Sequence, residues 1–207
     1  PILPWNEETL LSGVTRLADP ITAVRRLPDS VALETATGPA GEFDHVVIAA
    51  HADEALALLT DPSDDERRLL GAWSYQPNDT ILHSDASVMP PLRRIWSSWN
   101  YTREAGRAPD SPASVIYDMN RLQGLRTQRP LLVTLNRQTP LEPSTIIRRM
   151  LYHHPTYSAR ALEAQRELPA LNGLRRTWFC GSYFGYGFHE DAVRSAVHLV
   201  RAFGLDL

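Results

Sequence analysis

The sequence predicts a mixed α/β (α+β) fold, and three observations carry that prediction. Short β-rich runs bounded by turn residues recur through the first two thirds of the chain. Several helical segments open on recognisable caps. Near the end, residues 177–203 read as strand, glycine-rich turn and helix in succession. With 207 residues, 43% of them hydrophobic and 22% charged, the chain is long enough for one domain or two small ones.

In order, residues 1–17 support no more than a short helix. Residues 21–26, 31–35 and 43–50 lie between turn signals at 28–30 and 38–41 and read as a three-stranded meander. The continuous apolar run Val46 to Ala50 suits a strand buried on both faces. A helix follows over 52–59, and a second starts after Ser63, where Ser63 and Glu66 form a capping box before Leu69 and Leu70. Residues 80–83, 95–101, 114–120 and 131–135 are β-rich, with turn signals at 89–91, 106–112 and 123–124, and predict a largely antiparallel sheet. Residues 145–152 fit either helix or strand, with Pro155 expected to stop them. Ser158 caps a helix over 158–168 that Pro169 ends. The last helix is expected from Glu190, with Val193, Ala196, Val197, Val200 and Phe203 on its buried face and Gly204 as its stop. No internal repeat is present.

Bulk properties exclude several classes. A net charge of −3 argues against a nucleic-acid-binding surface. All 21 basic residues are arginine. One cysteine leaves no internal disulfide and fits a reducing, cytoplasmic setting. No apolar run approaches the roughly 20 residues that span a bilayer, and no signal peptide is visible. Seven histidines raise a metal site, but no spacing gathers three ligands, so none is expected. Gly181-Ser-Tyr-Phe-Gly185 departs from a nucleophile elbow, which needs Gly-x-Ser-x-Gly.

The richest candidate is the turn itself. Gly181, Gly185 and Gly187 let backbone approach a flat ligand, and Glu190 and Asp191 stand where a helix's positive end favours negative charge. The turn reads either as a tightly packed joint or as a site for an anion or polarised carbonyl. His189, at the helix start, is either a partly exposed cap or a neutral donor beside a ligand. Trp96, Trp99 and Tyr101 with Asn100 form the main aromatic group. Trp99 and Tyr101 share one strand face, as core packing or as a binding wall. Cys180 reads as a small buried side chain at a strand end.

Gly181-Ser182 and Glu190-Asp191-Ala192 resemble the C-terminal cofactor motif of flavin-containing amine oxidoreductases, the group of monoamine oxidase, protoporphyrinogen oxidase and phytoene desaturase. Ser182 stands where that family has an acid, and Asp191 where it has glycine. Further blocks resemble a bacterial subgroup of predicted NAD/FAD-binding proteins and the flavin-like part of plant cyclopropane fatty acid synthases: residues 43–56, 81–85, 89–90, 96–101, 132–136, 152–155 and 185–191.

The resemblance implies a fragment of a flavin-dependent oxidoreductase that moves a hydride from a substrate C–H or N–H bond to FAD. Such proteins hold the pyrophosphate on a Gly-x-Gly-x-x-Gly turn, which this sequence lacks, so an N-terminal half is expected to be missing. Residues 1–60 and 170–207 then correspond to returning parts of the FAD-binding domain, and 61–169 to the substrate-binding domain. Cofactor contacts fall on Ile21, Gly181, Ser182, Gly187, Phe188, His189, Glu190, Asp191, Ala192 and Val193, with the amides of Ala192 and Val193 directed at the flavin. Trp99 and Tyr101 become a wall of the substrate cavity. No catalytic side chain is assigned. Many relatives place a lysine near the flavin; this sequence has none, so lipid or isoprenoid desaturation rivals amine oxidation. The alternative is an isolated domain that binds a small-molecule, lipid-like substrate or a partner without cofactor, and a homodimer is a further expectation.

Overall fold

The computed structural model describes residues 19–103 and 114–205. The helix expected within 1–17 and the turn at 106–112 lie outside them. The described residues form two compact units: 19–74 with 155–205, and 75–154.

The first unit opens with β1 (Ile21–Arg26), β2 (Val31–Thr35) and β3 (Gly38–Phe43), an antiparallel meander in that order. The first two strands lie where expected; the third does not. The turn closes at residues 36–37, where the Thr35 hydroxyl bonds Thr37 and the Gly38 carbonyl. The segment 38–41, expected as a turn, is therefore strand. Pro39 is tolerated because β3 is at the sheet edge, next to a register shift at Leu33/Glu34.

The apolar run expected to complete the meander instead makes β4 (Val46–Ile48). It pairs in parallel with Thr177–Phe179, near the chain's end. Next come α1 (Ala52–Leu58) and α2 (Asp64–Leu70). The capping box of α2 forms as read: the Glu66 N–H donates to the Ser63 hydroxyl at 3.2 Å, and the Ser63 N–H to the Glu66 carboxylate at 2.7 Å.

The second unit is a five-stranded sheet built from β5 (Ser74–His83), β6 (Trp99–Thr102), β7 (Ser114–Asp118), β8 (Leu132–Leu135) and β9 (Ile146–Thr156), ordered β6-β7-β8-β5-β9. A short helix α3 (Met119–Gln123) follows β7. The strand expected over 95–101 starts only at Trp99: Ile95 ends a 3-10 turn formed by residues 93–95, and Trp96 precedes β6. Pro155 does not stop β9, which continues to Thr156; an edge strand can lose one N–H without breaking a ladder.

Register sorts the sheet into two faces. Asn100 opposes Ile116, Ile116 opposes Thr134, and Thr134 opposes Ile81; all four are buried. Trp99 opposes Tyr117 and Tyr101 opposes Val115 on the other face, which is largely open. His83 is buried, pairs with the Thr134 hydroxyl at 2.6 Å and accepts the Asp85 N–H at 3.1 Å. Burial lowers its pKa, assisted by Arg137 and opposed by Asp85.

The first unit resumes with α4 (Ala159–Glu167), capped by Ser158 and continued past Pro169 as a 3-10 turn to Leu171. Then come β10 (Thr177–Phe179) and α5 (His189–Ala202). Its deepest face is Asp191, Ser195 and Leu199. Val193 and Phe203, expected in the core, are 56% and 41% exposed, because the polar Asp191 and Ser195 take the inner positions with Leu199.

A buried ion pair anchors the meander to α2. The Arg26 side chain is 1% exposed and pairs through both terminal nitrogens with Glu66, while its Nε donates to Asp61 at 2.8 Å. Burial works against the charged Glu66, but Arg26 and the Ser63 N–H outweigh it and hold the carboxyl below 4.5. The pair therefore stabilises the fold fully above that value and loses its contribution as pH falls through the lower folded pKa. Glu66→Gln is expected to cost about 3 kcal/mol at neutral pH and to flatten the acid limb of stability, measured by urea unfolding from neutral to acid pH.

Candidate functional site

The candidate site is the turn between β10 and α5. Its backbone is drawn inward at one end by Tyr183, which is 1% exposed and meets Trp73 edge-on at 5.9 Å. Gln165 of α4 donates to the carbonyls of Tyr183 at 3.0 Å and Gly185 at 2.6 Å. The Tyr157 hydroxyl donates to the same Gly185 carbonyl at 3.2 Å. Burial first, and the charge of Asp191 second, push that phenol's pKa up, keeping it a donor. At the strand end, the Gly181 N–H donates to the Ser195 hydroxyl at 2.9 Å.

Asp191 closes the other end. Its carboxylate accepts the N–H groups of Tyr186 at 2.9 Å and Phe188 at 3.1 Å, and pairs with Arg194. A Cβ at Gly185 would overlap this carboxylate, which is why that position is glycine. Gly187 has φ of 87°, and a Cβ there would lie 2.9 Å from the Tyr157 hydroxyl.

Starting at His189 changes which amides are free. Ala192 N–H donates to the Phe188 carbonyl at 3.3 Å, and Val193, as the fifth residue of the helix, bonds within it. The two amides expected to face a ligand are thus used by the helix. Asp191 N–H also bonds Phe188. The N–H groups of His189 and Glu190 remain without a protein partner among the described residues, at the positive end of a 14-residue helix. Both residues are exposed, and beside them Tyr186 and Phe188 are 73% and 65% exposed. The Ser182 hydroxyl makes no hydrogen bond among the described residues; the Ser182 carbonyl accepts from Gly185 and Gly187.

The structure therefore brings Gly181, Ser182, Gly187, Phe188, His189 and Glu190 together on one loop and helix end. Asp191 belongs to the same loop but turns its carboxylate to the chain's own backbone. Ile21 opens β1 in the meander, opposite Thr35. Trp99 and Tyr101 lie in the other unit, 61% and 70% exposed, which corrects the core-packing reading. Asn100 is buried behind them, donating to the carbonyls of Ser97 and Ile116. Cys180 is buried, which raises its thiol pKa. Sequence reasoning missed Gln165 and Tyr157, which brace the turn from outside it and carry no motif. Among the described residues no group of three metal-ligating side chains is placed to hold an ion, and no helix is long and apolar enough to cross a membrane.

The fold is shared with solved structures that match nearly all of this chain at low sequence identity. Among solved structures, the chain is similar to a CLA-producing fatty acid isomerase from P. acnes, with a TM-score of 0.62, 16% identity, and 90% of this chain and 48% of that one covered. It is similar to a putative protoporphyrinogen oxidase from Exiguobacterium sp. at TM-score 0.60, 16% identity, covering 95% and 49%. A cyclohexylamine oxidase from Brevibacterium oxydans matches at TM-score 0.55, 11% identity, covering 91% and 49%. The chain spans about half the length of these structures. No family model and no curated protein matches the sequence.

Asp191→Ala is expected to leave the amides of Tyr186 and Phe188 without their acceptor, at a cost of about 2 kcal/mol. Amide hydrogen exchange at these two residues should accelerate far more than exchange in α1 or α2. Equal acceleration everywhere would mean the carboxylate supports the whole unit rather than the turn.

Proposed function

We propose that this chain is part of an FAD-dependent oxidoreductase acting on an apolar small molecule, and that the turn before α5 holds the isoalloxazine end of the cofactor. The observation that carries the reading is the pair of unpaired N–H groups at His189 and Glu190, presented at a helix's positive end next to two exposed aromatic residues, Tyr186 and Phe188. Residues that suit the cofactor are Ser182 with a free hydroxyl, Phe188 with an exposed ring, and the two amides. When bound, FAD supplies a hydride acceptor for a substrate C–H or N–H bond. The chain's part is electrostatic: fixed amides stabilise negative charge at a carbonyl-rich ring edge without having to reorient. Gly187 keeps the loop shape that sets them there.

We assign the first unit to the cofactor and the second to the substrate. The open sheet face with Trp99, Tyr101, Val115 and Tyr117 is apolar and aromatic, which favours a lipid-like or isoprenoid substrate over a charged amine. The absence of lysine from the sequence points the same way. A cofactor-free substrate or partner domain is the competing reading for this chain alone.

The visible-light spectrum of the purified chain, with and without added FAD, separates the two readings. Retained flavin absorbance supports the proposal. No binding by this chain or by the complete protein supports the cofactor-free domain. A finer test removes one amide without breaking the helix. Proline is tolerated at the first helical position, and Phe188 already has the extended backbone, φ −87° and ψ 159°, that a following proline requires. His189→Pro in the complete protein is expected to weaken FAD binding about tenfold, with His189→Ala near wild type and both melting normally. Equal affinities for the two variants would remove the amide from the site.

A further inference from the structure

We propose that the second unit carries a docking site for an anionic phospholipid surface, centred on a basic cavity that the flavin reading leaves unused. The cavity, about 230 Å³, lies where the segment before β6 meets the loop after β7. Arg93, Arg121 and Arg129 line it with Trp96 and Leu125. None of these three guanidinium groups has a carboxylate partner among the described residues. Asp118, the acid in the lining, is 4% exposed and accepts the Arg121 N–H at 3.3 Å.

The backbone beneath the arginines is braced. Trp96 packs on the buried cluster of Met89, Ile116 and Leu132 and donates from its indole to the Pro90 carbonyl at 2.8 Å. The Arg93 guanidinium stands 5.3 Å above that ring. Asn120 fastens the loop, accepting the Leu131 N–H at 2.6 Å and donating to the Thr127 hydroxyl at 2.6 Å. Unpaired arginines on a fixed frame select a phosphate group.

The surroundings select the source of that phosphate. Segments 91–97 and 119–130 contain five arginines and no acid, although the whole chain has a net charge of −3. In the same segments Leu92, Ile95, Leu122 and Leu125 are 52%, 54%, 38% and 36% exposed. A free phosphate compound would use the guanidinium groups and leave these aliphatic side chains in water. A bilayer surface takes both, headgroup phosphate on the arginines and aliphatic side chains at the acyl boundary. This inference stands whether or not the chain binds flavin.

The test is co-sedimentation of the full chain with vesicles of phosphatidylcholine alone and with vesicles in which roughly a third of the lipid is phosphatidylglycerol. Binding is expected for the anionic vesicles only. Each arginine removed should lower the partition coefficient about fivefold, so Arg121→Ala/Arg129→Ala loses about 25-fold. Arg148→Ala/Arg149→Ala, on the exposed part of β9, should change it little. Leu122→Ser/Leu125→Ser should weaken binding while keeping its dependence on anionic lipid. Equal binding to both vesicle types, no binding to either, or the same loss with the β9 variant overturns the proposal. Titration with inorganic phosphate completes it: phosphate binding that Arg129→Ala abolishes, without vesicle binding, would show a soluble-anion site and refute membrane docking.

Discussion

One carboxylate sets the geometry on which the candidate site depends. Asp191 sits in the first turn of α5, nearly buried, and reaches back to the amides of Tyr186 and Phe188. A charged acceptor holding two backbone donors is a strong, short-range constraint, and its effect here is selective. It fixes the glycine turn against the helix it precedes and uses the two amides that would otherwise point into the turn. The next two amides, at His189 and Glu190, are left outward. Gln165 and Tyr157 tie down the carbonyl side of the same turn at Gly185. The result is a loop held from both sides with its donors and aromatic rings facing solvent. Large apolar side chains in solvent carry a cost of their own and mark binding surfaces when they cluster.

Local signals were the legible part of this fold. The first two meander strands, the Ser63 and Ser158 caps, and the strand, turn and helix at the end all fall close to where residue patterns place them, because each is decided by neighbours within a few positions. What failed was decided by pairing. Glycine and proline at 38–41 read as a turn, yet Thr35 and Thr37 close the hairpin earlier and an edge position excuses the proline. By its residues the run at 46–48 looked like the next meander strand, while the family resemblance implied a strand of another sheet; its partner lies 131 positions later, Val46 against Thr177. Pro155 was overridden in the same way by the edge position of β9.

The turn before α5 was legible as a local feature, but which of its amides are free was misjudged. Ala192 and Val193, expected to offer free amides, lie far enough into α5 to bond within it, and the free amides are those of His189 and Glu190 at its first two positions. Hydrophobic spacing along α5 picked out Val193 and Phe203 as buried, whereas the inner face carries Asp191 and Ser195, polar residues recruited to bond the turn. Periodicity alone cannot distinguish an apolar stripe facing the core from one left outward, because both repeat at 3.6 residues. In the sheet the open face was readable only from register, since Trp99 and Tyr101 share a side in any strand, but which side is covered depends on Ile116 and Thr134 opposite Asn100.

The central claim is that the leading end of α5 receives the flavin ring through two specific amides. The most direct measurement is the amide spectrum of the isotopically labelled protein recorded by NMR during titration with FAD. The account predicts large, saturable shifts at His189 and Glu190, with smaller ones at Ser182 and Phe188 and little change at Ala192 and Val193. Saturable binding that moves other amides while those of His189 and Glu190 stay in place would contradict it.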